Sequence, residues 1–197
     1  LLKVRYLMRK VSPQDLVNLP EVSTQKDILL GNVLSQTVSP AYFFDLLFYM
    51  VLILEMTDFS LKKGNSISSP HAIISYAVLN NHIFQKYRYA EALGNAALEI
   101  SNNYHSAQIR GKLAANLGGG MYHWTMPLRQ VFSEFYDGYK FSIEGDDFNY
   151  ASINVETSIT NHIKSGRNLS AIYDEFLEYK TFFEATNDDK IIWEYKL

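Results

Sequence analysis

The chain contains no cysteine. Disulfides and thiolate metal sites are therefore excluded, and a reducing compartment, the cytoplasm, is the expected location. Proline is scarce: there are five, and three of them directly follow a serine. Basic residues are neither abundant nor clustered, with 18 Lys and Arg against 21 Asp and Glu and a net charge of −3. A phosphate backbone or an anionic bilayer needs a concentrated positive patch, so neither nucleic acid nor membrane insertion is expected. Long apolar runs are also missing. The most apolar stretch, 42–54, is 13 residues long and has Asp45 inside it, short of the ~20 residues a membrane helix requires. It is expected to be a core helix buried on most sides. A basic start leading into an apolar run and a small-residue cleavage site is absent, so no signal peptide is expected. No Gly-rich loop ends in Gly-Lys-Ser/Thr, no His-Arg-Asp or Asp-Phe-Gly occurs, and no serine stands in a Gly-x-Ser-x-Gly elbow. Nucleotide, kinase and serine-hydrolase chemistry lose their signatures with those motifs. No catalytic residue, cofactor or metal is expected, and the chain is expected not to be an enzyme.

What is present is apolar and aromatic material: 47% hydrophobic and 14% aromatic residues in 197. That composition buries a core and is incompatible with disorder. The length suits one compact domain or four to five helical hairpins in series. The first residue is Leu1, and 1–10 has the character of the middle of an amphipathic helix. The chain is thus expected to be a fragment of a larger protein. Asn168-Leu169-Ser170 matches a glycosylation acceptor, a motif common by chance and relevant only to secreted chains.

Helical periodicity dominates, and no alternating run of β-branched residues is bounded by hairpin turns. Ser12-Pro13 predicts the start of a short helix through a cap and a first-turn proline, and Pro20 its end. Ser23 predicts a cap for a second helix to about Thr37. Ser39-Pro40 predicts the start of a third, running to Lys63 and stopping at Gly64-Asn65. Ser69-Pro70 predicts the start of a fourth.

From residue 70 onward the helices are expected in pairs. Asn81-His82-Ile83 recurs as Tyr122-His123-Trp124 and as Asn161-His162-Ile163, with the histidines 41 and 39 residues apart. Each histidine stands near the end of a predicted first helix. Second helices are predicted over 89–101, 128–143 and 169–183. Polar turns close each unit at Asn102-Asn103, at Glu144-Gly145-Asp146-Asp147 and at Thr186-Asn187-Asp188-Asp189. A period near 40 built from two helices is the signature of an α-solenoid. Ala90, Gly94 and Ala97 lie at i, i+4 and i+7, a small-residue stripe that admits a close partner helix. The expected fold is all-α, an α-α superhelix of tetratricopeptide-like (TPR-like) hairpins. A helical lead-in over 1–65 is expected to precede a repeat array over 66–197.

These residues resemble the helical region of large bacterial signalling proteins. Those proteins fuse a Ser/Thr kinase-like domain, a P-loop ATPase, a TPR-like array, a GAF sensor and often a histidine kinase. The resemblance is carried by Phe59 to Ser66, by Tyr89 to Ile100, by His123-Trp124 and by Glu144 to Ala151, with 12–20 and 33–42 similar to the segment leading into the array. It covers nearly the whole chain, through the order and spacing of motifs. One departure stands out. The family carries a glycine-containing turn in the first unit, and here Phe84-Gln85-Lys86-Tyr87-Arg88 fills it. The resemblance implies a non-catalytic interaction and regulatory scaffold inside a kinase/ATPase fusion, with partners among the flanking domains or another protein or peptide. The alternative is a small-molecule sensor holding its ligand inside the superhelix.

Several clusters invite a chemical reading. Gly118-Gly119-Gly120 lacks the Lys-Ser/Thr of a phosphate cradle, so close helix packing or a break before Met121 is expected. His82, His123 and His162 would stand roughly 10 Å apart on stacked helices, too far for ligands each ~2 Å from one ion. Glu144, Asp146, Asp147, Asp188 and Asp189 fall at turns, where an aspartate caps the next helix. Tyr122, Trp124, Phe132, Phe135, Tyr136 and Tyr139 are expected mostly in the core. The positions expected to contact a partner are His82, His123, Trp124 and His162.

Overall fold

The computed structural model describes residues 2–186, apart from the side chains of residues 2, 3 and 5. The described residues are all-helical, with a single isolated bridge between Glu21 and Asn65. They form two compact units, Leu1–Ile109 and Arg110–Leu197. The expected joint at residue 65 falls inside the first of them.

The first unit holds α1 (Leu2–Met8), α2 (Pro13–Val17), α3 (Gln25–Phe44), α4 (Leu46–Lys63), α5 (Ser69–Phe84) and α6 (Tyr87–Ser101). Local chemistry sets most of these ends. Ser12 and Asp15 form a reciprocal capping box ahead of Pro13. Thr24, not Ser23, caps α3 by accepting from the Asp27 N–H. Gly64 ends α4 at a φ of +104°.

The break between α3 and α4 differs from expectation. Pro40 lies inside α3, and the chain turns at Asp45. An internal proline costs ~3 kcal/mol. Here Val38, Ser39 and Ala41 are buried around it, so packing holds the helix together across the missing N–H. Asp45 is extended, and its carboxylate accepts from the N–H groups of Leu47 (2.8 Å) and Phe48 (3.2 Å), which starts α4.

α5 and α6 form the tightest hairpin of this unit. Ile73, Ile74, Leu93 and Ile100 are fully buried, and so are the small residues Ala90, Gly94 and Ala97 of α6. The turn without glycine is solved by Gln85, which adopts the left-handed conformation at φ +53°. A side chain there costs ~1 kcal/mol relative to glycine. Gln85→Gly is therefore expected to raise stability by no more than about 0.5 kcal/mol in a denaturant titration, after the extra chain entropy of glycine is discounted. A loss of stability would mean the Gln85 side chain holds the turn. α4 packs on α5 through a buried serine cluster, in which Ser69 Oγ accepts from Ser60 Oγ (3.1 Å) and from the Ser66 N–H (2.9 Å).

α7 (Ala107–Leu117) spans the division between the units. The second unit continues with a π-helical turn (Gly118–Tyr122), α8 (His123–Thr125), a 3-10 turn (Leu128–Gln130), α9 (Phe132–Glu144), α10 (Phe148–Lys164), α11 (Leu169–Glu178) and α12 (Lys180–Thr186). The helix expected over 128–143 thus begins in earnest only at Phe132. The one expected over 169–183 breaks at Tyr179, where the two short helices meet. α7 and α9 run antiparallel, joined by glycine. A Cβ on Gly111 would come 2.2 Å from Ser142 Oγ, one on Gly138 would come 2.7 Å from Ala114 Cβ, and one on Gly118 would come 2.5 Å from the Phe135 ring. The triple glycine is a packing device, as expected: its residues take the π turn against Phe135 and Thr157. Asn154 of α10 completes the seam, donating to Tyr150 O (2.8 Å) and Gly111 O (3.2 Å). Val155, Phe176 and Phe183 form the core of the distal end.

Candidate functional site

The three histidines share a sequence position but not an environment. His82 is exposed at the end of α5, with Nδ1 3.0 Å from Val78 O in the preceding turn. His123 follows the π turn and is half-buried, its ring 5.2 Å from that of Trp124, which is about half exposed. His162 is interior. Its ring centroid lies 3.8 Å from that of Phe132, and Nε2 is 3.1 Å from Arg167 Nη1 and 3.5 Å from Glu175 Oε1. Arg167 and Glu175 are themselves paired. Beside them a surface cleft of about 470 Å³ is lined by Tyr136, Arg167, Asp174, Glu175, Glu178 and Tyr179. Its carboxylates outnumber its one cation, so it suits no anionic ligand.

Burial pushes the His162 imidazole below its ordinary value, and the Arg167 guanidinium adds to this while Glu175 opposes it. The unfolded chain then binds the proton more readily than the folded one. Stability contributed here is lost as pH falls below about 6.5. Chemical denaturation at pH 7.5 and 5.5 is expected to show a loss on acidification that is smaller in His162→Gln than in the wild type. Equal losses would place the proton-sensitive group elsewhere.

Of the acidic clusters, Asp147 caps α10 by accepting from the Tyr150 N–H (3.3 Å) and lies 3.5 Å from Lys112 Nζ. Asp188 and Asp189 fall outside the described residues. Among the aromatic candidates, Tyr122 and Phe135 are buried, Phe132 and Tyr139 half-buried, and Trp124 and Tyr136 exposed. Among the described residues no group of three or more His, Asp or Glu is arranged to hold a metal ion, and no helix is long and apolar enough to cross a membrane.

One surface feature of the described residues was not expected. The stretch 42–54 is not buried on most sides. Tyr42 to Phe48 are seven consecutive exposed residues, and six of them are large and apolar. Phe44 is 94% exposed and Leu47 72%. Only the alternate side of α4, with Leu52, Ile53 and Met56, is in the core. The signal lay in Asp45: a charge inside an apolar run marks a solvent-facing turn more readily than a core position.

Comparison with known protein families, with curated proteins and with solved structures gives no match.

Proposed function

We propose that this chain is a TPR-like helical-repeat segment of a larger signal-transduction protein of the kinase/ATPase fusion type, serving as a protein-interaction and regulatory scaffold without chemistry of its own. The observation that carries this reading is the hairpin pairing through small residues. α5 packs on α6, whose Ala90, Gly94 and Ala97 are buried, and α7 meets α9 across Gly111 and Gly138, with Gly118 of the π turn against Phe135. Helical hairpins that approach this closely suit stacking into an array, and such arrays hold peptides or neighbouring domains on one face. The resemblance of the motif order to the helical region of such fusions supports the signalling context.

The test is calorimetric titration of the chain against the kinase-like and ATPase domains of the parent polypeptide. Saturable binding to one of them is the expected result. Absence of heat with both, at concentrations of about 100 μM where weak intramolecular partners still register, would sink the scaffold reading.

A further inference from the structure

The apolar tip of the α3–α4 hairpin is open in several directions at once. Tyr42 to Phe48 are exposed without a break, and Phe43, Phe44, Leu46, Leu47 and Phe48 are each at least 48% exposed. Successive residues of a helix point about 100° apart. Tyr42, Phe43 and Phe44 at the end of α3 therefore face different ways, as do Leu46, Leu47 and Phe48 at the start of α4. A partner helix or a groove covers one side of a helix and would leave the rest of the tip in water. A medium that closes around the tip covers all of these side chains together. Phe44, at 94% exposed, is barely touched by the rest of the chain. A fluid apolar layer accepts such a side chain without a fitted pocket, which a protein partner has to supply.

Basic residues that the sequence scatters are gathered at the same end of the first unit. α4 and α5 run antiparallel and meet at Ser60 and Ser69 (Oγ to Oγ 3.1 Å). The count from Ser60 back to Leu46 equals that from Ser69 on to Ile83, so an equal rise per residue brings the α5–α6 turn level with the tip. Lys86 and Arg88, in and just after that turn, are exposed. The end of α1 lies beside them: Tyr89 Oη donates to Met8 O (3.3 Å), and the next two residues, Arg9 and Lys10, are exposed. Lys10 Nζ lies over the ring of Tyr6, 4.3 Å from its centre.

Against these cations stand two carboxylates, those of Asp45 and Glu91. The Asp45 carboxylate accepts from the N–H groups of Leu47 and Phe48 at the positive end of α4, which eases its place among headgroups and limits the depth of entry. Tyr6 and Tyr42 are also more than half exposed, and such amphipathic rings suit the boundary between water and an apolar layer. No basic cluster occurs along the sequence, so no membrane contact was expected from it. The fold assembles one next to an apolar tip, the combination by which peripheral proteins hold anionic bilayers.

We propose that the α3–α4 tip is a shallow membrane anchor. Its apolar side chains enter the surface layer of an anionic phospholipid bilayer, and Arg9, Lys10, Lys86 and Arg88 meet the headgroup phosphates. Entry is ~5–10 Å deep, the range for apolar faces at the headgroup boundary. The anchor goes beyond the scaffold reading and stands whether or not a flanking domain binds.

Co-sedimentation of the 197-residue chain with lipid vesicles tests it. Phosphatidylcholine vesicles carrying about 30% phosphatidylserine are expected to retain the chain at least about tenfold more strongly than pure phosphatidylcholine. Lys86→Gln with Arg88→Gln is expected to weaken retention about 30-fold, the scale of two cations at an anionic surface. Phe44→Ser with Leu47→Ser is expected to weaken it at least about tenfold. Both pairs change exposed side chains, so their far-UV circular dichroism is expected to match wild type; should one pair fail to fold, the other decides. No retention on the anionic vesicles, equal retention on the two kinds of vesicle, or retention that a folded pair leaves unchanged would overturn the proposal. So would a lipid-free dimer in sedimentation velocity, or a complex with a flanking domain, that the Phe44 and Leu47 pair dissolves, since either would give the tip to a protein.

Discussion

Gly64→Ala is expected to destabilise the first unit by about 3–5 kcal/mol, the sum of a strained backbone and an unavoidable clash. Gly64 sits at φ +104°, which disfavours any residue with a Cβ. The second effect is larger. An alanine Cβ would stand 2.0 Å from the backbone oxygen of Pro20, an atom no rotamer can move. That oxygen is committed, because it accepts from the Asn65 N–H at 2.7 Å. Asn65 O in turn accepts from the Val22 N–H at 2.8 Å, and Asn65 Nδ2 donates to Leu16 O at 2.8 Å. One glycine thus allows the α4–α5 connection to lie against the segment after α2. Moving Pro20 away would break that whole set, and buried backbone groups left without partners cost ~1–3 kcal/mol each. Gly166→Ala is the control. Its φ is +74°, but nothing lies within 4 Å of the added carbon, so only the conformational cost of ~1 kcal/mol is expected. Denaturant unfolding of the two variants side by side decides the matter. Equal, small losses would mean that the 20–65 contact does not constrain the fold.

Asp147→Asn is expected to cost about 3–5 kcal/mol, because it removes the carboxylate that faces a buried cation. Lys112 is 1% exposed and among the largest fully buried side chains of the described residues. Its ammonium lies 3.5 Å from Asp147 Oδ2 and 5.3 Å from the centre of the Tyr150 ring. Burial pulls the Lys112 pKa below its ordinary value, and the Asp147 carboxylate holds it up. Asparagine still caps α10, so this substitution removes the charge and leaves the cap. The double variant Asp147→Asn with Lys112→Met takes away both charges of the pair and their desolvation cost, and a loss below about 1.5 kcal/mol is expected from it. The pH response supplies a second readout. In Asp147→Asn the folded state prefers neutral Lys112, whereas the unfolded chain keeps the proton up to about pH 10.5. The variant is therefore expected to recover stability as pH rises from 8 toward 10, and the double variant with Lys112→Met is not. A flat alkaline profile in Asp147→Asn would show that water reaches the ammonium.

The polar turn at 144–147 was legible in the sequence as a helix cap, and Asp147 is one. The ion pair with Lys112 was not, because nothing local distinguishes Lys112 from the exposed lysines around it. The same division runs through the chain. Ser12, Gly64 and the triple glycine did what their residue types predict, since a cap, a left-handed terminus or a close approach is dictated by the residue itself and its near neighbours. Pro40 did not end its helix, because packing of Val38, Ser39 and Ala41 outweighs a local penalty of ~3 kcal/mol. The recurring His82, His123 and His162 looked equivalent and are exposed, half-buried and buried, because burial depends on what the second helix of each pair supplies.

By itself, then, the sequence determined that the chain is helical, where most helices begin and end, and which small residues would lie at helix contacts. These follow from periodicity and from interactions within about four residues. Only the tertiary structure decided which side of an apolar helix is covered. The stretch 42–54 is apolar nearly all round, so its pattern names no inward face, and the neighbours it meets leave Phe44 and Leu47 in the open. Coverage is a property of distant segments packed together, and no local pattern encodes it.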